Sequence, residues 1–153
     1  MRRKEKEIKD KEEIESVISK CDICRIALCD NNTPYIVPVC FGHMGNFLYL
    51  HSAPDGKKID IIKKNNRVCF EFDTGEGLIK SENPCDWGMK YHSVIGSGKA
   101  FFIEDPEEKT RALNIIAKHY SGDAHESQKN SVDNVTVIKV EIENITGKKS
   151  GYL

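Results

Sequence analysis

Four residues near the middle of the chain could together bind an anion. His51 and Ser52 stand at the end of a predicted strand, and Lys57 and Lys58 stand in the first turn of a predicted short helix. The unpaired backbone N–H groups of a helix start favour an anion, and lysines placed there oppose the helix dipole. A bound anion would relieve that conflict. A phosphate would fit, with Ser52 as hydroxyl donor and the two lysines as positive charge.

The flanking sequence supplies the elements that would position these groups. Residues 47–50 are aromatic and apolar, as in a strand, and the breaker at 54–56 contains proline and glycine. Ile59, Ile61 and Ile62 then recur among lysines and indicate one or two turns of helix. The same lysines could form only a solvated helix face, and the local sequence does not decide between these two interpretations.

Over the whole chain the pattern predicts about six strands and three helices in one domain, residues 1–153. The strands are expected at residues 25–28, 35–41, 47–50, 67–73, 91–104 and 136–142, and the helices start near Asp10, Gly56 and Asp105. Short hairpin-like connections without βαβ alternation favour a mostly antiparallel barrel or sandwich with added helices. Unprotected edges in such a sheet favour closure or dimerisation.

Three local features bear on how this sheet is built. Pro38 interrupts the second strand, which places that strand at an edge or a bulge. Residues 74–90 are predicted to be a long irregular segment that covers something. Gly96, Gly98 and Ala100 share one face of the next strand, so the strand bends sharply there or another group packs closely on it.

Composition limits the classes of function. The 23 basic residues are balanced by 24 acidic residues, so no overall basic field for nucleic acid is expected. Apolar runs are too short for a membrane span, and the first residues do not have the apolar segment of a signal peptide, so we expect a cytoplasmic protein. The segment 123–134, between the third helix and the last strand, is polar and predicted to be mobile.

The six cysteines are predicted to be free structural thiols. Cys21 and Cys24 form a C-x-x-C pair, but the pair lies where a helix leads into a strand, unlike a redox motif at a helix N-terminus. A zinc site would need a second such pair, and none follows. No metal site is therefore expected.

Five segments taken in order resemble the nitroimidazole-resistance branch of the pyridoxamine 5′-phosphate oxidase-like flavoproteins. They are Tyr35-Ile-Val-Pro-Val39, Leu48-Tyr-Leu-His-Ser-Ala53 with Gly56-Lys-Lys58, Arg67-Val-Cys-Phe-Glu71, Pro84-Cys-Asp-Trp87 and Tyr91-His-Ser-Val-Ile-Gly-Ser-Gly-Lys-Ala100. These segments run from Tyr35 to Ala100, and the resemblance extends in order over nearly the whole chain. The arginine-rich signatures and characteristic C-terminal segment of the true oxidases are not found, so oxidation of vitamin B6 is not expected.

The resemblance implies a mainly β fold, an FMN-binding split β-barrel that forms a homodimer with flavin in two interface clefts. It assigns the flavin phosphate to His51, Ser52, Lys57 and Lys58. It places the isoalloxazine ring against the backbone of residues 37–39. The implied cofactor-binding set is therefore Val37, Pro38, Val39, His51, Ser52, Lys57 and Lys58, with Trp87, Tyr91, Ser93 and Val94 at the cleft border, some of them from the partner subunit.

The resemblance also implies a reductase mechanism. NADH or NADPH would donate hydride, and a small electron-poor acceptor such as a nitroimidazole would receive electrons. His51 is the candidate catalytic residue, because an imidazole can deliver a proton near neutral pH, although it could instead only hydrogen-bond the cofactor. A flavin carrier or redox sensor without turnover is the alternative, and FAD, F420 or haem are alternative ligands.

Overall fold

The computed structural model describes residues 3–122 and 135–152, so the predicted connection 123–134 lies outside the described residues. The described part contains eight strands, three α-helices and two short 3₁₀ helices. The strands are β1 (Glu7–Ile8), β2 (Cys24–Asp30), β3 (Thr33–Val39), β4 (Phe41–Met44), β5 (Phe47–Ser52), β6 (Arg67–Ile79), β7 (Gly88–Ile103) and β8 (Thr136–Ser150). The helices are α1 (Lys11–Ser19), α2 (Lys57–Lys64) and α3 (Pro106–Ser121), and the 3₁₀ turns are Lys4–Lys6 and Pro84–Asp86.

The strands form one antiparallel sheet in the order β3-β2-β6-β7-β8-β5-β4, and β1 pairs with the far end of β8. The prediction of a mainly β, mostly antiparallel fold with three helices is therefore confirmed. β3 pairs only with β2 among the described strands, so Pro38 does lie on an edge strand. Proline has no backbone N–H, and no described strand pairs with the open edge of β3 and would require one.

Two apolar clusters hold the sheet. The larger lies on one face of the sheet, which we call the inner face, and combines α1 and α2 with β-strand residues such as Phe41, Phe70 and Phe72. The smaller lies between α3 and the opposite face of β5, β7 and β8 around Tyr49 and Val137. Both faces of β5 and β8 are therefore covered, which agrees with the run of apolar residues on both sides of these strands.

The glycine-rich part of β7 is a place of close packing, as predicted. A Cβ on Gly96 would come within 2.2 Å of Cζ of Phe70, and one on Gly98 within 1.9 Å of the carbonyl oxygen of Glu141. The neighbouring strands and the Phe70 ring occupy the space that side chains would need.

Several strands are longer than predicted, and the prediction of an irregular segment at 74–90 is wrong for most of its length. β6 and β7 continue as a two-stranded ribbon to Ile79 and Gly88, with a bulge between Gly75 and Gly77. This ribbon is exposed on both sides and so carries no alternating apolar pattern. β8 also continues beyond residue 142 to Ser150, and β1 and β4 are strands that the pattern did not indicate.

None of the described helices is long and apolar enough to span a membrane.

Candidate functional site

The start of α2 carries no side-chain cap. Gly56 is the N-cap residue, with φ +122°, and no side chain accepts a hydrogen bond from the first turn. The first helical bond runs from the N–H of Asp60 to the carbonyl of Gly56 at 3.0 Å. The N–H groups before Asp60 therefore point out of the helix without a helical acceptor, and an external acceptor can meet them.

The two lysines in this turn have different surroundings. Lys58 is half-buried, and desolvation lowers the pKa of its ammonium. Within residues 3–122 and 135–152 no carboxylate forms an ion pair with either lysine. Lys57 is exposed, and its Nζ lies 4.8 Å from the ring centroid of Tyr35 on β3. The site thus has two amines that no carboxylate of the described residues pairs with, beside N–H groups without a helical acceptor.

The end of β5 presents its last two side chains to opposite faces. Ser52 follows the alternation of Leu48 and Leu50, which face the same inner cluster as α2, and is partly buried. His51 follows Tyr49 toward the α3 face and is exposed. The sequence grouped the two residues, but only Ser52 lies on the face that α2 packs against.

The three residues predicted on β3 also divide between the faces. Val37 packs against the inner cluster and Val39 is part of it, whereas Pro38 points to the opposite, outer face. Tyr35 is on the inner face with Val37 and contacts Lys57, yet the sequence analysis did not select it as a site residue. Its position in an alternating strand, on the same face as Val37, was a signal in the sequence. Its contact with Lys57 could not be inferred from the local sequence.

The residues predicted on β7 lie mostly on the outer face. Tyr91 and Ser93 share that face with the exposed Ile95, while Val94 is fully buried in the core. Only the backbone of Val94 can therefore border a surface cleft. Pro38 and Ser93 are separated by β2 and β6, about 14 Å at the usual strand spacing. Within one chain the predicted residues thus form two groups, one at α2 and β3 and one on β7.

Trp87 lies at the tip of the β6–β7 ribbon and is half-exposed. Its Nε1 donates to the carbonyl of Ser81 at 2.9 Å, and Nζ of Lys80 lies 5.6 Å from its ring centroid. These contacts are all within the ribbon tip. The structure does not bring Trp87 to the α2 start of the same chain.

A charged cluster on the outer face was not anticipated. Nη1 of Arg25 lies 2.5 Å from Asp73 and 3.2 Å from Glu71, across the β2–β6 pair. Asp73 raises the pKa of Arg25, and burial raises the pKa of Glu71 with a further contribution from Asp73. Cross-strand charge pairs depend on register, which single-strand patterns do not give.

All six cysteines are free, as predicted. Burial raises the pKa of Cys21 to about 11 and that of Cys24 to about 12, so neither thiol forms a thiolate near neutral pH. Among the described residues, no group of three or more metal-ligating side chains converges.

Comparisons with known proteins support this architecture. A solved structure of a "putative 5-nitroimidazole antibiotic resistance protein" from Bacteroides thetaiotaomicron is 42% identical, covers 93% of this chain and 85% of its own, and superposes with a TM-score of 0.83. A Rhizobium meliloti protein is 39% identical over 64 residues, which is 42% of this chain and 42% of that relative's length. This curated match therefore spans less than half of either protein.

More distant structures share the fold. The FAD and heme binding protein of Mycobacterium smegmatis is 15% identical with a TM-score of 0.85, covering 96% of this chain and 74% of its own. The flavocytochrome Anf3 of Azotobacter vinelandii is 16% identical with a TM-score of 0.84, covering 99% and 72%. These likenesses confirm the predicted split β-barrel. Residues 10–149 match the family model described as pyridoxamine 5′-phosphate oxidase, so the chain belongs to the pyridoxamine 5′-phosphate oxidase-like family, in keeping with the resemblance seen in its sequence.

Proposed function

We propose that this protein binds FMN and acts as a flavin-dependent reductase of small electron-poor acceptors such as nitroimidazoles. The observation that carries the proposal is the start of α2, where uncapped N–H groups stand beside two lysines that form no ion pair with a carboxylate in residues 3–122 and 135–152. The 42% identical resistance protein and the flavin-binding proteins of the same fold support the choice of flavin and acceptor.

The residues at α2 fit a terminal phosphate. Lys58 has already lost part of its hydration, so an anion would meet less competition from water there than at an exposed lysine. Lys57 supplies the second charge, and Ser52 supplies a hydroxyl on the same face as α2. Gly56 adopts a φ of +122°, a backbone conformation at the start of this turn that glycine reaches without strain.

When bound, the flavin supplies the two-electron chemistry, and the chain supplies binding, orientation and protons. The net reaction we propose combines a nitro compound, one NADH or NADPH and one proton to give the nitroso compound, water and the oxidised nicotinamide. The backbone of Val37, Pro38 and Val39 would orient the ring system along the edge strand.

His51 is the proposed proton donor. Its side chain is exposed and lies on the other face of β5 from Ser52, so a direct phosphate contact is not its best role. Replacing it by alanine should lower turnover while leaving the affinity for FMN nearly unchanged. A loss of affinity as large as that of Ser52→Ala would instead assign His51 to the phosphate.

We also propose a homodimer, with the outer face covered by the second copy. This face exposes Ile36 by 63% and Ile95 by 49%, and it carries the Arg25, Glu71 and Asp73 cluster. Dimerisation would bring the β7 group, Tyr91, Ser93 and the backbone of Val94, near the α2 site of the partner, and Trp87 of the ribbon tip could reach the same cleft. Analytical ultracentrifugation of the full chain tests this directly.

The deciding experiment is an absorption spectrum of the purified protein, followed by heat release and mass spectrometry of the ligand. FMN at about one per chain, with steady-state oxidation of NADH or NADPH that depends on a nitroimidazole, is the expected result. Reduction of the flavin without turnover would favour a carrier or sensor. Release of FAD, F420 or haem would identify that molecule, in place of FMN, as the ligand. Failure to bind added FMN would overturn the proposal.

A further inference from the structure

Tyr35 is the residue that links the edge strand to the start of α2. It lies on the inner face of β3, opposite Leu28 of β2, and packs partly buried against the larger core cluster. Its ring centroid is 4.8 Å from Nζ of Lys57. The ring is therefore anchored by the core on one side and meets a cation on the other.

Lys57 needs such an anchor more than Lys58 does. Lys58 is partly buried, so its neighbours restrict its side chain. Lys57 is exposed and has no carboxylate partner among the described ion pairs, so without the ring its four-carbon stem would sample many rotamers. A cation over an aromatic face is attracted to it, which limits those rotamers. The two lysines are thus held in place by different means.

We propose that Tyr35 is a positioning residue that holds the Lys57 ammonium at the α2 start and thereby sets the preference for phosphorylated over unphosphorylated flavin. This inference rests on the proposed function, because it concerns the phosphate end of that ligand. Tyr35 acts through Lys57, and its own hydroxyl is not required. The ring face is the functional part of the side chain.

Tyr35→Leu tests the ring, and Tyr35→Phe is the matched control that keeps the ring and removes the hydroxyl. Fluorescence titration of the full chain with FMN and with riboflavin gives the two affinities. We expect Tyr35→Leu to weaken the affinity for FMN about two- to fivefold, which is the contribution of an exposed cation–π contact. The affinity for riboflavin should not change. Tyr35→Phe should bind FMN like the unmodified chain.

A double variant separates positioning from packing. If Tyr35 acts through Lys57, then Tyr35→Leu should have no further effect on FMN affinity once Lys57→Ala is present. Equal loss of FMN and riboflavin affinity, additive losses in the double variant, or a Tyr35→Phe loss as large as that of Tyr35→Leu would each overturn the inference.

The same variants distinguish failure of this inference from failure of the proposed function. If the unmodified chain binds neither flavin, the flavin proposal fails, and inorganic phosphate becomes the probe through its effect on the melting temperature. Stabilisation by phosphate that Tyr35→Leu reduces and Tyr35→Phe retains would support the role of Tyr35. No stabilisation by phosphate, or stabilisation equal in all variants, would overturn it.

Discussion

The helices α2 and α3 begin in opposite ways. At α3, Asp105 accepts a hydrogen bond from the N–H of Glu108 at 2.8 Å, Pro106 fills the first position, and Glu107 and Glu108 complement the dipole. At α2 the cap residue is Gly56, no side chain caps the turn, and its first two residues are lysines. Asp60 is the one acidic residue of that turn.

The difference lies in whether the chain itself satisfies the N–H groups of the first turn. α3 satisfies its own N-terminus and needs nothing from outside, whereas α2 leaves donors and charge open to an external anion. α1 follows the α3 pattern, since Asp10 accepts from the N–H of Glu12 at 3.1 Å. The start of α2 therefore differs from those of the other two described helices, which aspartate side chains cap.

The largest effect should come from removing both lysines. Lys57→Ala with Lys58→Ala should weaken FMN about 100-fold or more, because each charge-assisted hydrogen bond contributes about 1.5–3 kcal/mol. Riboflavin affinity should not change. Fluorescence titration measures both.

Lys63→Ala with Lys64→Ala is the matched control, because these exposed lysines lie at the other end of the same helix. This pair should leave FMN affinity within about twofold, as expected for solvated surface charges. Equal losses of FMN affinity in the two double variants would indicate that Lys57 and Lys58 form only a solvated helix face.

A second test concerns the backbone of the turn. Gly56→Ala forces a side chain into φ +122°, and such strain costs on the order of 1–3 kcal/mol. Gly56→Ala should lower the free energy of unfolding, measured in urea, and weaken the affinity for FMN. Gly45→Ala is the control, since Gly45 also has positive φ (+60°) and open space around a Cβ but lies in the β4–β5 turn. It should destabilise the protein without changing FMN affinity.

For the N-cap of α3 we expect a loss of stability without a loss of FMN affinity. Asp105→Ala should lower stability by about 1 kcal/mol, which is about 2–4 °C in melting temperature for a domain of this size. FMN affinity should stay the same, because this cap serves only the helix. Asp105→Asn keeps a capping oxygen and should recover most of the loss. A drop in FMN affinity with Asp105→Ala would show that the two helix starts are not independent.

The sequence located the starts of α1 and α3 because caps are local. Asp10 and Asp105 are adjacent in sequence to the helices that they cap. The alternating apolar pattern of β8 and the edge position of Pro38 could also be predicted, since each depends on residues close in sequence. The order of the resembling segments then gave the fold.

Contacts across the sheet were not predictable in the same way. The pairing of Arg25 with Asp73 and the approach of Lys57 to Tyr35 depend on register and on helix placement. The exposed β6–β7 ribbon looked irregular because neither of its faces is buried. His51 and Ser52 looked like one group because adjacent residues are close in sequence, although a strand sends them to opposite faces.

The smallest effect, and the sharpest test of Lys58, is a pH dependence. Burial lowers the pKa of Lys58, so its amine loses its proton at a lower pH than an exposed lysine does. Bound phosphate would stabilise the ammonium and raise that pKa again. FMN affinity should therefore be flat below the lowered pKa and fall severalfold as the pH rises through it, toward the ordinary value of 10.5.

Lys58→Arg keeps the charge at all these pH values and should abolish the fall, and riboflavin titrated in parallel removes any contribution from the ring system. Titrations from pH 7.5 up to the ordinary lysine pKa of 10.5 cover the range in which the fall is expected. They also avoid the second ionisation of the phosphate, which is near pH 6. A fall in affinity that is the same in Lys58→Arg as in the unmodified chain would remove Lys58 from the proposed phosphate site and leave Lys57, Ser52 and the uncapped N–H groups as its donors.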